Sequence, residues 1–373
     1  MYIKGKVKKD KRTKNLTKRL KPGDIALICH KDLDEIGASS LVEKKVKCVI
    51  NTDKTISGRY PNQGPSILLK ANIPLFEAYD EGLYELIKDG ETIEIVENQI
   101  VQNEEYIGEV QLLDNEKVNE LLGIGYDNFE KELDKFIENT LDYAKREKGL
   151  VTGKVSIPSI KTKLKNRHAL IVVRGKDYKR DLLAIQAYIH EMNPILIGVD
   201  GGGDALIEFG YVPDIVIGDM DSVSDKCLKL SKEIVVHAYP NGKAPGLDRV
   251  NELGLNAVIF PSPGTSEDIA MLLAYENDVD LIVAVGTHNN MIDFLEKGRS
   301  GMASTFLVRL KVGSKLVDAK GVNKLYRSHL KLKHMIGIGL AALIPIIVIT
   351  MMFPPMKELL QLIKIRFRIM FGL

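Results

Sequence analysis

The sequence predicts an α/β fold: a doubly wound parallel sheet, preceded by a β-rich domain and followed by one C-terminal transmembrane helix. Three observations predict it. Over about residues 166–320, β-type runs alternate with helical patterns, the rhythm of a parallel sheet with crossover helices. Over about residues 22–113, short β-type runs are separated by Gly-Pro punctuation. Met335–Phe353 is nineteen residues without a charge, long enough for a hydrocarbon core, which is about 30 Å thick.

In chain order, residues 1–21 carry ten Lys or Arg against one acid, Asp10, and are expected to be a solvated basic arm. Residues 22–127 form the expected β-rich domain, with runs at Ile25–Cys29, Val46–Ile50, Ile67–Leu69, Thr92–Val96 and Tyr106–Leu112. Residues 128–165 are a connecting helix and linker. There Phe129, Leu133, Phe136, Ile137, Leu141 and Ala144 share one helical face, which would also suit a homodimer seam. Residues 166–322 hold the parallel sheet, with runs such as Leu170–Val173, Ile195–Val199, Ile215–Ile217 and Leu281–Val285. Residues 323–373 hold the expected span, 335–353, and a tail in which Leu359, Leu362, Ile363, Phe367 and Met370 fall on one face. Such a tail suits a lipid surface or a partner.

The 373 residues suffice for two or three domains with sizeable cores. A net charge of +2 argues against a nucleic-acid binder that uses its whole surface. Cys29, Cys48 and Cys227 are too scattered for a zinc site or a disulfide framework and fit a reducing compartment. No amino-terminal signal is expected, because 1–21 lacks an apolar core segment. The chain is therefore expected at the cell membrane as a single-pass protein with its bulk in the cytoplasm.

The chemistry centres on Gly198–Ser222, which reads G-V-D-G-G-G-D-A-L-I-E-F-G-Y-V-P-D-I-V-I-G-D-M-D-S. Asp200 with Gly201 and Gly202, and Asp219 with Asp221 and Ser222, each follow a β-type run. In a parallel sheet such turns gather at the strand carboxyl ends, where ligands bind. Carboxylates beside bare glycine backbone suit Mg²⁺ and the phosphates it carries. Asp and Gly are also ordinary turn residues, and Asp219 and Asp221 equally suit a helix cap. Arg174 ends the first strand of this region and can fork onto a phosphate or pair with Asp177 or Asp181. Thr265-Ser266-Glu267-Asp268 begins a helix whose amino terminus can hold an anion.

The D-G-G turn followed by P-D-x-x-x-G-D-x-D-S resembles the thiamine pyrophosphokinase catalytic domain. The chain as a whole resembles the SteA family of cytokinetic-ring proteins of Gram-positive bacteria. That likeness includes V-V-R-G-K-D-Y at Val172–Tyr178, H-A-Y-P-N-G-K-A-P-G-L at His237–Leu247 and P-G-T-S-E-D-I-A-M-L-L at Pro263–Leu273. It also includes G-R-S-G-M-A-S-T-F-L at Gly298–Leu307 and I-S-G-R-Y-P-N-Q-G-P at Ile56–Pro65. The resemblance implies catalytic roles for Asp200, Asp219, Asp221 and Asp268, and a metal held by Asp219, Asp221, Asp268 and Glu267. The cofactor-binding set it supports is Arg174, Gly201, Gly202, Ser222, Thr265 and Ser266, with Mg²⁺ and ATP or another nucleotide as cofactors. It implies a membrane-anchored protein of cell division or envelope assembly, with a membrane or envelope protein as partner. The alternative is a diphosphokinase moving diphosphate from ATP to thiamine or another hydroxymethyl heterocycle. Val285-Gly286-Thr287-His288-Asn289-Asn290 stands where the thiamine enzymes carry a G-x-x-G-x-R-x-D-H segment.

Overall fold

The amino-terminal segment alternates by twos: Ile3 and Val7 are buried, while Lys4 and Lys6 are exposed. That period makes a half-buried strand, β1 (Tyr2–Lys9), which pairs parallel to β2 (Ile25–Ile28) and antiparallel to β5 (Thr92–Val96). The computed structural model describes residues 1–78, 80, 82–288, 291–296, 298–322, 340–349 and 354–372. Within these, β1, β2, β3 (Cys48–Asn51), β4 (Leu75–Ala78), β7 (Glu105–Leu112), β6 (Gln99–Gln102) and β5 close into a barrel in that order. The pairs from β1 to β4 are parallel, and the rest are antiparallel.

Parallel strands need cover on both faces. Helices α1 (Thr13–Arg19), α2 (Glu35–Glu43) and α3 (Gly64–Lys70) supply it on the outer face and the barrel interior on the other. Ile25 and Leu27 point into the barrel with Phe76, Ile93 and Ile95. Ala26 and Ile28 point outward among Leu16, Leu41 and Leu68 of the helices. The antiparallel half lacks that cover, and β5 reads exposed and buried by turns. The short α4 (Leu83–Leu86) packs Leu83 into the barrel core.

These findings correct the expected fold class. The basic segment 1–21 is β1 and α1, not a free arm, because its apolar residues fall at strand and then helix spacing. The region expected to be β-rich is a barrel covered by helices, and Ile67–Leu69 lies inside α3, which Pro65 starts near its first position.

Helix α5 (Asn115–Glu147) has 33 residues, about 50 Å at 1.5 Å per residue. Asp114 caps it by accepting from the Lys117 N–H at 2.8 Å. Its first half buries Val118 and Leu122 against the barrel helices. Further along, Phe129 and Phe136 pack with Tyr60 of a barrel loop and Phe294 and Leu295 of α12 (Met291–Glu296). Ile137 and Leu141, expected on the same face, are 46% and 51% exposed.

The second module is a seven-stranded sheet, all parallel. Its chain order is β8 (His168–Val172), β9 (Ile195–Val199), β10 (Ile215–Gly218), β11 (Glu233–Ala238), β12 (Val258–Pro261), β13 (Leu281–Val285) and β14 (Leu316–Asp318). In space the order is β12-β11-β10-β9-β8-β13-β14, so succession reverses between β8 and β13. α11 (Ser266–Glu276) and α13 (Ala303–Val312) cover the face of Ile171, Ile197 and Ile217. The opposite face is covered by α6 (Tyr178–Ala184), α7 (Gln186–Met192), α8 (Gly202–Glu208), α9 (Asp225–Leu230) and α10 (Gly246–Glu252).

From Asn323 the chain forms a separate unit. Its described part is an apolar helix over 340–349 and a helix Pro354–Phe371, in which Leu362, Ile363, Phe367 and Met370 are exposed. The expected transmembrane helix is not upheld: among the described residues no helix is long and apolar enough to cross a membrane. The described helical residues 340–349 span about 15 Å, and Pro354–Phe371 carries Lys357, Glu358, Lys364, Arg366 and Arg368. Residues 335–339 and 350–353 of the expected span lie outside the described residues.

The faces of α5 give a direct check. Phe136→Ala should cost about 3–5 kcal/mol in urea unfolding, because Phe136 is 5% exposed and sits 6.4 Å, ring to ring, from Phe294. Ile137→Ala should change stability by less than about 0.5 kcal/mol.

Candidate functional site

All strands of the sheet point the same way, so the turns at their carboxyl ends lie along one edge. Arg174 follows β8, Asp200 follows β9, Asp219 follows β10 and Thr265-Ser266 follow β12. With Gly201, Ser222 and Glu267 they line one cavity of about 600 Å³. Asp219, Thr265 and Ser266 also line a neighbouring cavity of about 370 Å³, together with Asp221, His237 and Arg299.

Asp200 occupies the left-handed region, with φ +47°, and its N–H donates to Ile217 O at 2.9 Å. This turn lays its carboxylate on β10, where a Cβ at Gly218 would fall 1.8 Å from Asp200 Oδ1. Gly218 is thus required by a side chain, not by a ligand. Oδ1 has no hydrogen-bond partner. Burial first, and then the neighbouring Asp219 carboxylate, push the Asp200 carboxyl up to about 7. Asp219 itself is exposed, and its Oδ1 accepts from the Asp221 N–H at 2.9 Å. Met220 between them has φ +65°, and its carbonyl accepts from Arg249.

The other residues divide by role. Arg174 donates through Nη2 to Glu208 at 3.0 Å, not to Asp177 or Asp181, while its Nε has no partner. Its side chain lies against Gly201, where a Cβ would come within 3.0 Å of Arg174 Cδ. Gly202 packs closely on β8: a Cβ there would sit 1.9 Å from Val172 O.

Thr265 caps α11 in a reciprocal box with Asp268, whose Oδ2 accepts from the Thr265 N–H at 3.0 Å and from Ser304 Oγ at 2.8 Å. Asp268 is 1% exposed, and burial raises its carboxyl above the ordinary range. Glu267 is engaged with His288, accepting from its N–H at 3.0 Å and meeting its Nδ1 at 2.6 Å. His237 Nε2 meets Ser262 O at 3.0 Å, so Nε2 carries the proton and Nδ1 accepts from Ser266 Oγ at 3.3 Å. Burial lowers the His237 pKa.

Of the four carboxylates expected to share a metal, Asp219 and Asp221 together line the smaller cavity, while Glu267 and Asp268 have protein partners. Among the described residues no group of three or more His, Cys, Asp or Glu is arranged to hold a metal ion.

The barrel contributes the opposite wall, which the sequence reading missed. Lys14, Thr17 and Lys18 of α1 and Ser40 and Glu43 of α2 line the larger cavity. Lys14 Nζ donates to Ser222 Oγ at 2.9 Å, and Arg12 lies 3.9 Å from Asp221. The signal was present: Leu16 and Leu20 are four apart, which puts Lys14 and Lys18 together on another face of the same helix.

Fold and site define a two-module α/β protein, a helix-covered barrel and a parallel sheet, with a cleft lined by charges of both signs at the sheet's carboxyl edge. Residues 320–371 match the SteA-like C-terminal domain family. No curated protein matches the chain significantly. Among solved structures, 3-isopropylmalate dehydratase (leuD) from Methanocaldococcus jannaschii is 16% identical over 39% of this chain and 99% of its own, with a TM-score of 0.23. Thiamine pyrophosphokinase from Bacillus subtilis is 19% identical over 40% of this chain and 60% of its own, with a TM-score of 0.26. A cellulase from microbes of the gut ecosystem is 11% identical over 36% of this chain and 68% of its own, with a TM-score of 0.18.

The strained acid at Asp200 predicts a pH effect. Its folded pKa lies above the ordinary 3.8, so the folded chain keeps a proton that the unfolded chain loses between about pH 4 and 7. Stability conferred by that group falls as pH rises through this window and stays low above it. Asp200→Asn, which tolerates positive φ, should raise Tm by about 2–4 °C at pH 8. It should give no gain near pH 4, as read by calorimetry.

Proposed function

We propose that the cleft binds a nucleoside di- or triphosphate together with Mg²⁺, and that this binding serves a role in cell division or envelope assembly. One observation carries the first part: Asp200 and Asp219 are paired carboxylates, the inner one buried with a bare oxygen and holding a proton up to about pH 7. A divalent cation relieves their repulsion. Mg²⁺ usually takes one or two carboxylates and completes its shell with phosphate oxygens and water. That donor set fits two cavity carboxylates and does not need a cage of protein ligands. Mg²⁺ would supply charge neutralisation for the phosphates. Arg174 and Lys14, on the walls of the same cavity, would place them. The second part is supported by the SteA-like C-terminal domain over 320–371.

A second reading, diphosphate transfer to a hydroxymethyl heterocycle, is favoured by the raised Asp200 carboxyl, since a general base works best with a pKa near the working pH. Product formation with Mg-ATP and a panel of acceptors separates the two readings: no product is expected.

Saturating Mg-ATP should raise the thermal midpoint, because ligand at one hundred times Kd adds about 2.7 kcal/mol. Asp219→Ala with Asp221→Ala should remove that rise while leaving the apo midpoint near the parent's. A double variant that is stabilised as strongly as the parent would remove the cleft from consideration.

A further inference from the structure

The buried polar residues of the described chain fall mainly into two groups. One, with Ser262, Asp268, Thr287, His288, Ser304 and Thr305, lies at the carboxyl edge of the sheet. The other belongs to the barrel: Thr13, Asp32, Asn51, Thr52, Thr55 and Asn62, all under 9% exposed. A barrel core is stable without buried polar groups, and each one is costly unless hydrogen-bonded. Here they are bonded to one end. Asn51 accepts from the His30 N–H at 2.9 Å and donates to His30 O at 2.8 Å and to Thr55 Oγ1 at 3.1 Å. Thr13 Oγ1 meets His30 Nδ1 at 2.9 Å. Asp32 accepts from Ser57 N–H and Oγ at 2.7 and 2.9 Å, and Asn62 donates to Leu33 O and Thr55 O at 3.2 and 3.1 Å. The Ile56–Pro65 segment is thereby strapped around the carboxyl ends of β2 and β3, and His30 is held by backbone and ring.

His30 opens onto a cavity of about 510 Å³ at that end of the barrel. Lys11, Arg12, Lys14 and Lys31 line it, against only Asp34 and Asp53. Both acids are partly engaged: Asp34 caps α2 through the Gly37 N–H and its Oδ2 lies 3.8 Å from His30 Nε2, and Asp53 Oδ1 accepts from the Lys54 N–H at 2.7 Å. Lys31 is exposed and makes no ion pair among the described residues. A concave site with excess positive charge, at the carboxyl ends of parallel strands, attracts anions.

We propose that this mouth of the barrel is a second binding site, for a small phosphorylated molecule whose phosphate is met by His30, Arg12 and Lys31. It does not depend on the reading of the sheet cleft. It adjoins that cleft, since Lys14, Thr17, Asp34, Ile36 and Ser40 line both cavities.

Pyrophosphate titrated calorimetrically into the full chain, in EDTA and low salt, tests the site without Mg²⁺. Saturable binding to the parent is expected, at least tenfold weaker in Lys31→Glu, with an intermediate loss in Lys31→Gln. Arg174→Glu, which alters the sheet cleft and not the barrel mouth, should keep the Lys31-dependent binding. Among the described residues the Lys31 side chain has no ion-pair partner to lose, and an unchanged thermal midpoint verifies the fold of each variant. The site is overturned if the parent shows no saturable binding or if both Lys31 variants bind as the parent does. Loss in Arg174→Glu with retention in Lys31→Glu also overturns it and assigns the anion to the sheet cleft.

Discussion

The inner parallel strands are covered on both faces, in the barrel by its interior and its outer helices and in the sheet by helices on either side, and that constraint organises the rest. In β2, β3 and β8–β10 nearly every residue is buried, so no polar side chain can leave the sheet through a face. Polar chemistry is confined to the strand ends, where backbone groups are unpaired and turns reverse. The barrel and the sheet obey the same rule, and each has its buried polar cluster at its carboxyl ends.

The two ends meet across α1 and α2. Their junction is electrostatic on one side, where Lys14 reaches Ser222 and Lys179 lies 3.5 Å from Glu43. It is apolar on the other, where α5 carries Phe136 into the cluster of Tyr60 and Phe294. Gly301 allows this second contact: a Cβ there would stand 3.1 Å from Thr140 of α5, whose Oγ1 accepts from the Met302 N–H. The small-residue stretch after Gly298 therefore packs on α5, while Arg299 beside it lines the cleft.

The cleft faces two sheet carboxylates with two barrel lysines. Asp200 and Asp219 come from the sheet, and Lys14 and Lys18 come from the barrel. Surface cations this exposed add little to stability. Their value lies in the field they impose on a shared cavity.

Local patterns were enough to read the alternation of β9, β10 and their Asp-bearing turns, because strand period and turn chemistry are properties of neighbouring residues. They also placed Asp200 and Asp219 at strand ends. They misread Tyr2–Lys9, where lysines outnumber the apolar residues that carry the period, and Ile67–Leu69, where three apolar residues do not distinguish strand from helix. Met335–Phe353 supplied an uncharged run of hydrophobic length, yet among the described residues no helix is long and apolar enough to cross a membrane. Tertiary structure alone decided that the barrel closes over the cleft, that Asp268 and Glu267 bond within the protein, and that Asp200 rests on Gly218. The physical reason is distance: those contacts join residues far apart in the chain, and their energies depend on burial and on neighbouring charge that no local window contains.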